Sequence, residues 1–176
     1  MHFVFLAAGK GKRIYRNIKT NKCLIKINNK SIIENLIENI PKSKRNKITI
    51  VTGFNSNKII QKTKKYKVNY IHNSKFKTTE MVETLKVALT NINEDILFSY
   101  SDIFYKKELI LKIQKKINNK ILVPINSNWR HIWKIRNKEV LDDAESLIIS
   151  RNRILEIGNK IKNIQKVQGQ FMGLLF

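Results

Sequence analysis

One cysteine, two prolines and six glycines among 176 residues leave little from which to build covalent staples, stiff linkers or repeated tight turns. Cys23 alone excludes an internal disulfide and any multi-cysteine metal site, and it fits a reducing compartment, so the expected location is the cytoplasm. No apolar run approaches the roughly 18 residues that a membrane-spanning helix needs, so no membrane insertion is expected. The chain begins at once with a strand-like "HFVFL", without a basic leader or a small-residue cleavage site, which predicts no export. Acids are scarce too: 13 Asp and Glu face 35 Lys and Arg, a net charge of +22. That charge predicts nonspecific attraction to polyanions at low salt. It is spread along the whole chain, however, with lysine travelling beside asparagine and isoleucine ("NKSIIENLIENI", "ILKIQKKINNKI"), and so reads as a solvated lysine-rich surface. Zinc spacing, a basic region followed by heptads and a glycine-aromatic ribonucleoprotein signature are all missing, and no specific nucleic-acid partner is expected.

What is present is an alternation. Residues 2–6 read as a buried strand, and "SIIENLIENI" repeats apolar positions at helical spacing before Pro41. "KITIVTG" is a strand ending in a glycine turn, "NSNKIIQKTKKY" a helix, "KVNYIHN" a short strand, and "TEMVETLKVALTNI" a helix with Met81, Leu85, Ala88 and Leu89 on one face. "DILFSYSD" is a buried strand finishing on a carboxylate, "KELILKIQKKI" a helix and "KILVPI" another strand. "SLIISRNRILEIG" reads as a hairpin turning at Arg151 and Asn152. This rhythm predicts an α/β fold with a mainly parallel sheet covered on both faces and ligands at the carboxyl ends of its strands.

The loop "FLAAGKGKRI", residues 5–14, follows the first strand. It is not a dinucleotide fingerprint, because Ile14 stands where the third glycine belongs, and it lacks the Gly-Lys-Ser/Thr of a P-loop. Gly9 and Gly11 flanking Lys10, then Lys12 and Arg13, still suit an anion: glycines admit close approach of backbone N–H groups, and the cations neutralise charge. A plain tight turn fits these residues equally well.

The following residues carry more. "FLAAGKGKRI" with "NKCLIKINNKSIIENLIENI" resembles the signature of the sugar-phosphate nucleotidylyltransferases, or MobA-like NTP transferases: an apolar strand, L-A-A-G-x-G-x-R, P-K-x-L, an apolar hairpin and a helix. "TTEMVETLKVAL", "FSYSDIFY", "NWRHIWKIR", "DDAESL", "RILEIG" and "QGQFMGLL" are similar, in order, to landmarks of the phosphocholine and 2-aminoethylphosphonate cytidylyltransferase-like branch. The resemblance implies a Rossmann-like α/β/α sandwich with a mainly parallel, mixed sheet, of the nucleotide-diphospho-sugar transferase type. It also implies one nucleotidyltransferase domain over residues 1–176, expected to lack its C-terminal part because "GLLF" reads as the middle of a strand. The implied reaction moves a nucleoside monophosphate, CMP from CTP first, onto a small phosphorylated or phosphonate amine such as phosphocholine, with pyrophosphate leaving and Mg²⁺ as cofactor. Residues Leu6, Ala7, Ala8, Gly9, Lys10, Gly11 and Lys12 would hold the nucleotide, with Asn73 and Thr79 near the base. Arg13 and Lys22 align with the catalytic cations and Asp102 with the metal-holding aspartate, whereas Tyr100 removes the D-x-D of metal-dependent glycosyltransferases.

Asp142, Asp143 and Glu145 supply negative charge where the chain has little, and Trp129 and Trp133 stand at helical spacing. Trp129, Asp143 and Glu145 are therefore the expected acceptor contacts, a carboxylate and aromatic set for a cationic head group; core packing is the competing role for the tryptophans, as it is for His72 and His131. Three positions depart from the pattern: Asn21 replaces the proline of P-K-x-L, which should loosen the loop that presents Lys22, Glu80 replaces an asparagine, and Ser101 replaces a frequent glycine. Glu80, an acid beside a triphosphate, threatens activity most. A sugar-1-phosphate or cofactor nucleotidylyltransferase, or an inactive basic remnant of the fold, is the alternative.

Overall fold

The structure, a computed structural model, describes residues 1–11, 19–116, 121–136, 140–161 and 163–176, which group into two compact units, Met1–Leu122 with Gly173–Phe176 and Val123–Met172. The first unit runs β1 (His2–Ala7), β2 (Lys26–Ile27), β3 (Lys30–Ser31), α1 (Ile32–Glu38), β4 (Lys47–Thr52), α2 (Ser56–Thr63), β5 (Asn69–His72), α3 (Met81–Leu89), β6 (Ile96–Tyr100) and α4 (Lys107–Lys115). The second contains β7 (Ile125–Asn126), α5 (Trp129–Arg136), β8 (Glu145–Ser150), β9 (Arg153–Lys160) and β10 (Gln170–Phe171), after which β11 (Leu174–Leu175) belongs again to the first.

The main sheet has the order β11-β6-β1-β4-β5. β6, β1, β4 and β5 are parallel and β11 runs antiparallel along β6. Central β1 is buried along its whole length, as a strand covered on both faces must be. Its alternate residues Phe3, Phe5 and Ala7 enter a core with Ile33 and Leu36 of α1, Ile59 of α2 and Ile110 and Ile113 of α4. Val4 and Leu6 point to the other face, where α3 packs on β1 and β4. The mainly parallel, mixed sheet with helical layers is the expected α/β architecture.

Local chemistry explains the element ends. Ser31 and Glu34 form a reciprocal capping box that starts α1, and Ile32, Ile33, Leu36 and Ile37 form its buried stripe, which ends before Pro41. Arg151 and Asn152 both adopt left-handed backbone, φ 46° and 60°, at the tight turn between β8 and β9, where the sequence places it.

Two expectations need correction. The buried face of α3 is Thr84 and Ala88, while Met81 and Leu89 are each 48% exposed. Thr84 wins that place because its hydroxyl accepts from the buried Asn73 amide at 3.0 Å. "KILVPI" is not one strand: among its described residues, 121–125, only Ile125 joins β7, and Leu122 instead exchanges two backbone hydrogen bonds of 2.9 Å with Phe176 in the first unit; Lys120 lies outside the described residues.

The second unit has its own small core, in which Trp129 and Trp133 of α5 meet edge to face at 6.0 Å beside Ala144 and Val167. Gln170 ties its strands together, accepting from the Glu145 backbone N–H at 3.1 Å and donating to the Glu145 carbonyl at 2.6 Å.

Candidate active site

Sheet order creates the site. From β1 the chain adds β4 and β5 on one side and then crosses to place β6 on the other, so the carboxyl ends of β1 and β6 lie side by side where the winding reverses. A parallel sheet opens a crevice at such a switch point. The crevice here has about 160 Å³ of free volume, and Gly9, Gly11, Asn21, Lys22, Tyr100 and Asp102 are among the residues that line it.

Across this cleft the Lys22 ammonium donates to Asp102 Oδ2 at 3.1 Å. The two side chains are 30% and 34% exposed, so the pair is half in water and open to exchange with a ligand. Lys22 begins a 3-10 turn, Lys22–Leu24. Gly11, with φ +61°, lies so close that a Cβ there would stand 2.9 Å from Lys22 Cγ. Gly11 thus lets the loop both take left-handed backbone and admit the lysine stem. Beneath Lys22, burial pushes the Cys23 thiol up to about 12, which leaves it un-ionised and unreactive at neutral pH.

Strand ends fix the frame. Ser101, one of the departures from the pattern, donates its hydroxyl to the Leu6 carbonyl at 2.7 Å and so joins the end of β6 to β1 just before Asp102. Ala7 and Ala8 are buried, and Gly9 and Lys10 are exposed at the rim. The Ala8 carbonyl accepts from the Phe54 N–H at 2.9 Å, and Lys10 Nζ stands 5.3 Å from the Phe54 ring centroid. Gly53 makes this approach possible, since a Cβ there would lie 2.7 Å from the Ala8 oxygen and 2.6 Å from Phe76 Cβ. Neither Gly53 nor Phe54 stands out in the sequence. The one available signal is the glycine turn closing "KITIVTG".

Asn73 is buried, and its amide donates to Thr79 Oγ1 at 3.1 Å and to Thr84 Oγ1 at 3.0 Å, while its Oδ1 accepts from the Lys75 N–H at 3.0 Å. Thr79 donates to the Lys75 carbonyl at 2.9 Å. These residues, expected near the base, thus shape the loop after β5. Glu80 is exposed at the N-terminus of α3. Lys12 and Arg13 lie outside the described residues.

Asp143 and Glu145 are exposed in the second unit, and the Asp143 carbonyl accepts from Trp133 Nε1 at 3.1 Å. Trp129 is 1% exposed and packs in that unit's core, so its ring does not form the open aromatic face expected of it. A large apolar ring gains more from burial than from solvent.

Among the described residues no group of three or more His, Cys, Asp or Glu is placed to hold a metal unaided. Asp102 offers one carboxylate at the cleft, which fits a hard cation that takes its remaining ligands from phosphate oxygens and water. The described residues also contain no helix long and apolar enough to cross a membrane.

A cleft at the switch point of a parallel sheet, lined by a glycine loop and spanned by a lysine and an aspartate, is where an open α/β sheet binds its ligand. The family follows from the match: residues 3–163 fit the MobA-like NTP transferase domain, and the chain belongs to that family of nucleotidyltransferases. It is 32% identical, over 99% of its own length and 72% of the relative's, to the CTP:phosphoglutamine cytidylyltransferase of Campylobacter jejuni. Solved structures with the same fold include the inositol-1-phosphate CTP transferase of T. maritima, with TM-score 0.72 and 13% identity over 99% of this chain and 69% of that one. The CTP:phosphocholine cytidylyltransferase of Streptococcus pneumoniae aligns with TM-score 0.64 and 17% identity over 99% of this chain and 69% of that one.

Proposed function

We propose that this protein transfers CMP from CTP to a small phosphorylated acceptor, releasing pyrophosphate. The observation that carries the reading is the 3.1 Å contact between Lys22 and Asp102 across the cleft beside the glycine loop. A cation and a carboxylate side by side next to that loop support a reading in which a triphosphate lies on the loop and meets its acceptor there. An acceptor oxygen attacks the α-phosphorus, the bond from that phosphorus to the β-bridging oxygen breaks, and the electron pair leaves with pyrophosphate. Such a transfer needs charge neutralisation and in-line placement more than covalent help.

Backbone amides of residues 8–11 would cradle the phosphates, and Lys22 would leave Asp102 to bridge the α-phosphate and the acceptor's anion. Arg13 would steady the departing pyrophosphate. Mg²⁺, when bound, would be held by Asp102 and would neutralise the charge that develops on the phosphate oxygens. CTP is favoured because the curated relative is named for it. That name also puts phosphoglutamine at the head of the acceptor panel, with phosphocholine and 2-aminoethylphosphonate next.

Pyrophosphate release, measured for CTP, UTP, GTP and dTTP with each acceptor, with a sugar 1-phosphate and with none, tests the reading. The expected result is release with CTP that requires both Mg²⁺ and one of the three acceptors phosphoglutamine, phosphocholine and 2-aminoethylphosphonate. Release only with a sugar 1-phosphate, or salt-sensitive RNA binding with no release under any condition, would overturn it.

A further inference from the structure

Asn21 is only 1% exposed and lines the cleft next to Lys22. Its side-chain nitrogen donates to the Phe54 carbonyl at 2.8 Å, and a carbonyl partner identifies that end of the amide as the nitrogen. The other end, Oδ1, is buried with no partner among the described residues. Buried polar atoms are rarely left so, and an alanine here would remove the problem. Among the described residues its nitrogen makes the amide's one hydrogen bond, to the Phe54 carbonyl.

The backbone tells the same story. Asn21 has φ −66° and ψ 142°, and its carbonyl accepts from the Leu24 N–H at 2.9 Å, which starts the 3-10 turn that carries Lys22. Phe54, the residue that Asn21 grips, donates its own N–H to Ala8 and lies under Lys10. Its ring also packs against Phe76 at 6.4 Å. One corner after β4 therefore holds the glycine loop from one side and the Lys22 turn from the other.

We infer that Asn21 is a positioning residue for Lys22: its amide pins the lysine turn to Phe54 and so fixes where the Lys22 backbone stands relative to Ala8–Gly11, leaving the ammonium free to reach a ligand. The inference rests on the role proposed for Lys22. A proline ring fixes φ near −65°, close to the value at Asn21, so proline would hold the same backbone without any hydrogen bond. This gives a rescue that a side chain serving only to fill space would not show.

The experiment measures kcat, the KM for CTP and the thermal midpoint of Asn21→Ala, Asn21→Pro and Lys22→Ala in the full chain. Misplacement of a catalytic group lowers kcat more than binding, so Asn21→Ala is expected to lose about tenfold or more in kcat with KM within about threefold. Asn21→Pro is expected to recover most of that loss. An Asn21→Ala enzyme with normal kcat, or a folded Asn21→Pro enzyme as slow as Asn21→Ala, overturns the inference. If Asn21→Ala does not fold, Asn21→Pro decides alone: near-normal kcat supports the inference, and a folded protein as slow as Lys22→Ala overturns it. Normal turnover in Lys22→Ala would instead overturn the proposed role of Lys22 beneath it, so the two failures are distinguishable.

Discussion

Two carboxylates in the first unit both face lysine, and they could hardly be used more differently. Glu34 is almost fully buried, and it receives the Ser31 N–H at 2.9 Å, the Ser31 hydroxyl at 2.7 Å, Lys65 at 2.7 Å and Lys62 at 3.4 Å. Burial by itself would raise its carboxyl, but the hydrogen bonds from Lys65, Ser31 and Lys62 outweigh burial and hold it at about 2. Asp102 meets Lys22 once, at 3.1 Å, in a half-exposed cleft. A carboxylate whose lone pairs are filled by its own fold serves stability. One that keeps coordination capacity at a strand end in a crevice can serve a ligand.

The comparison breaks most sharply at Lys22. Lys22→Ala should lower the rate of pyrophosphate release by at least about a hundredfold, the scale of one well-placed electrostatic donor, while the thermal midpoint hardly moves because half-exposed ion pairs contribute little. Near-normal turnover would remove Lys22 from the chemistry. Gly11→Ala comes next: a Cβ at φ +61° and 2.9 Å from Lys22 Cγ must displace the lysine, so turnover should fall by about tenfold. Left-handed strain of about 1 kcal/mol should accompany it, read as a lower denaturation midpoint.

Glu34→Ala should give the opposite signature. Losing the capping box and the buried hydrogen bonds should cost about 2 kcal/mol by denaturant titration, with kcat for the folded protein unchanged. The pH dependence follows the same carboxyl. Because the folded value of about 2 lies below the ordinary 4.5, the Glu34 contribution is fully present above about pH 4.5 and is lost as pH falls towards 2. Melting curves of wild type and Glu34→Gln should therefore converge over that window, and parallel curves would refute the assignment. The smallest effect is at Cys23, where alkylation at neutral pH should proceed only as fast as the protein opens, since the thiol is buried and held un-ionised.

Much of this was legible in the chain itself. β1 reads as a buried strand because "FVFLA" is apolar at every position, as a doubly covered strand needs, and Asp102 reads as a strand-end carboxylate after "ILFSYS". Lys22 stands out through the resemblance of "NKCL" to P-K-x-L. Asn21 was visible only as a missing proline, because the hydrogen bond that replaces the ring reaches 33 residues along the chain to Phe54. The role of Ser101 was hidden in the same way, since its partner Leu6 is 95 residues distant. Trp129 shows the converse error: helical spacing placed it correctly on α5, but spacing does not say which face a neighbour covers.

Local backbone preference and apolar period already specify β1, β4, β5 and β6 with the helices between them, the tight turn at Arg151 and Asn152, and the glycine loop. Sheet assembly is what brings the ends of β1 and β6 together, sets Lys22 against Asp102 and puts Phe54 beneath both loops. Those contacts join residues tens of positions apart, and their free energy comes from burial and hydrogen bonding that exist only once the parallel sheet has assembled.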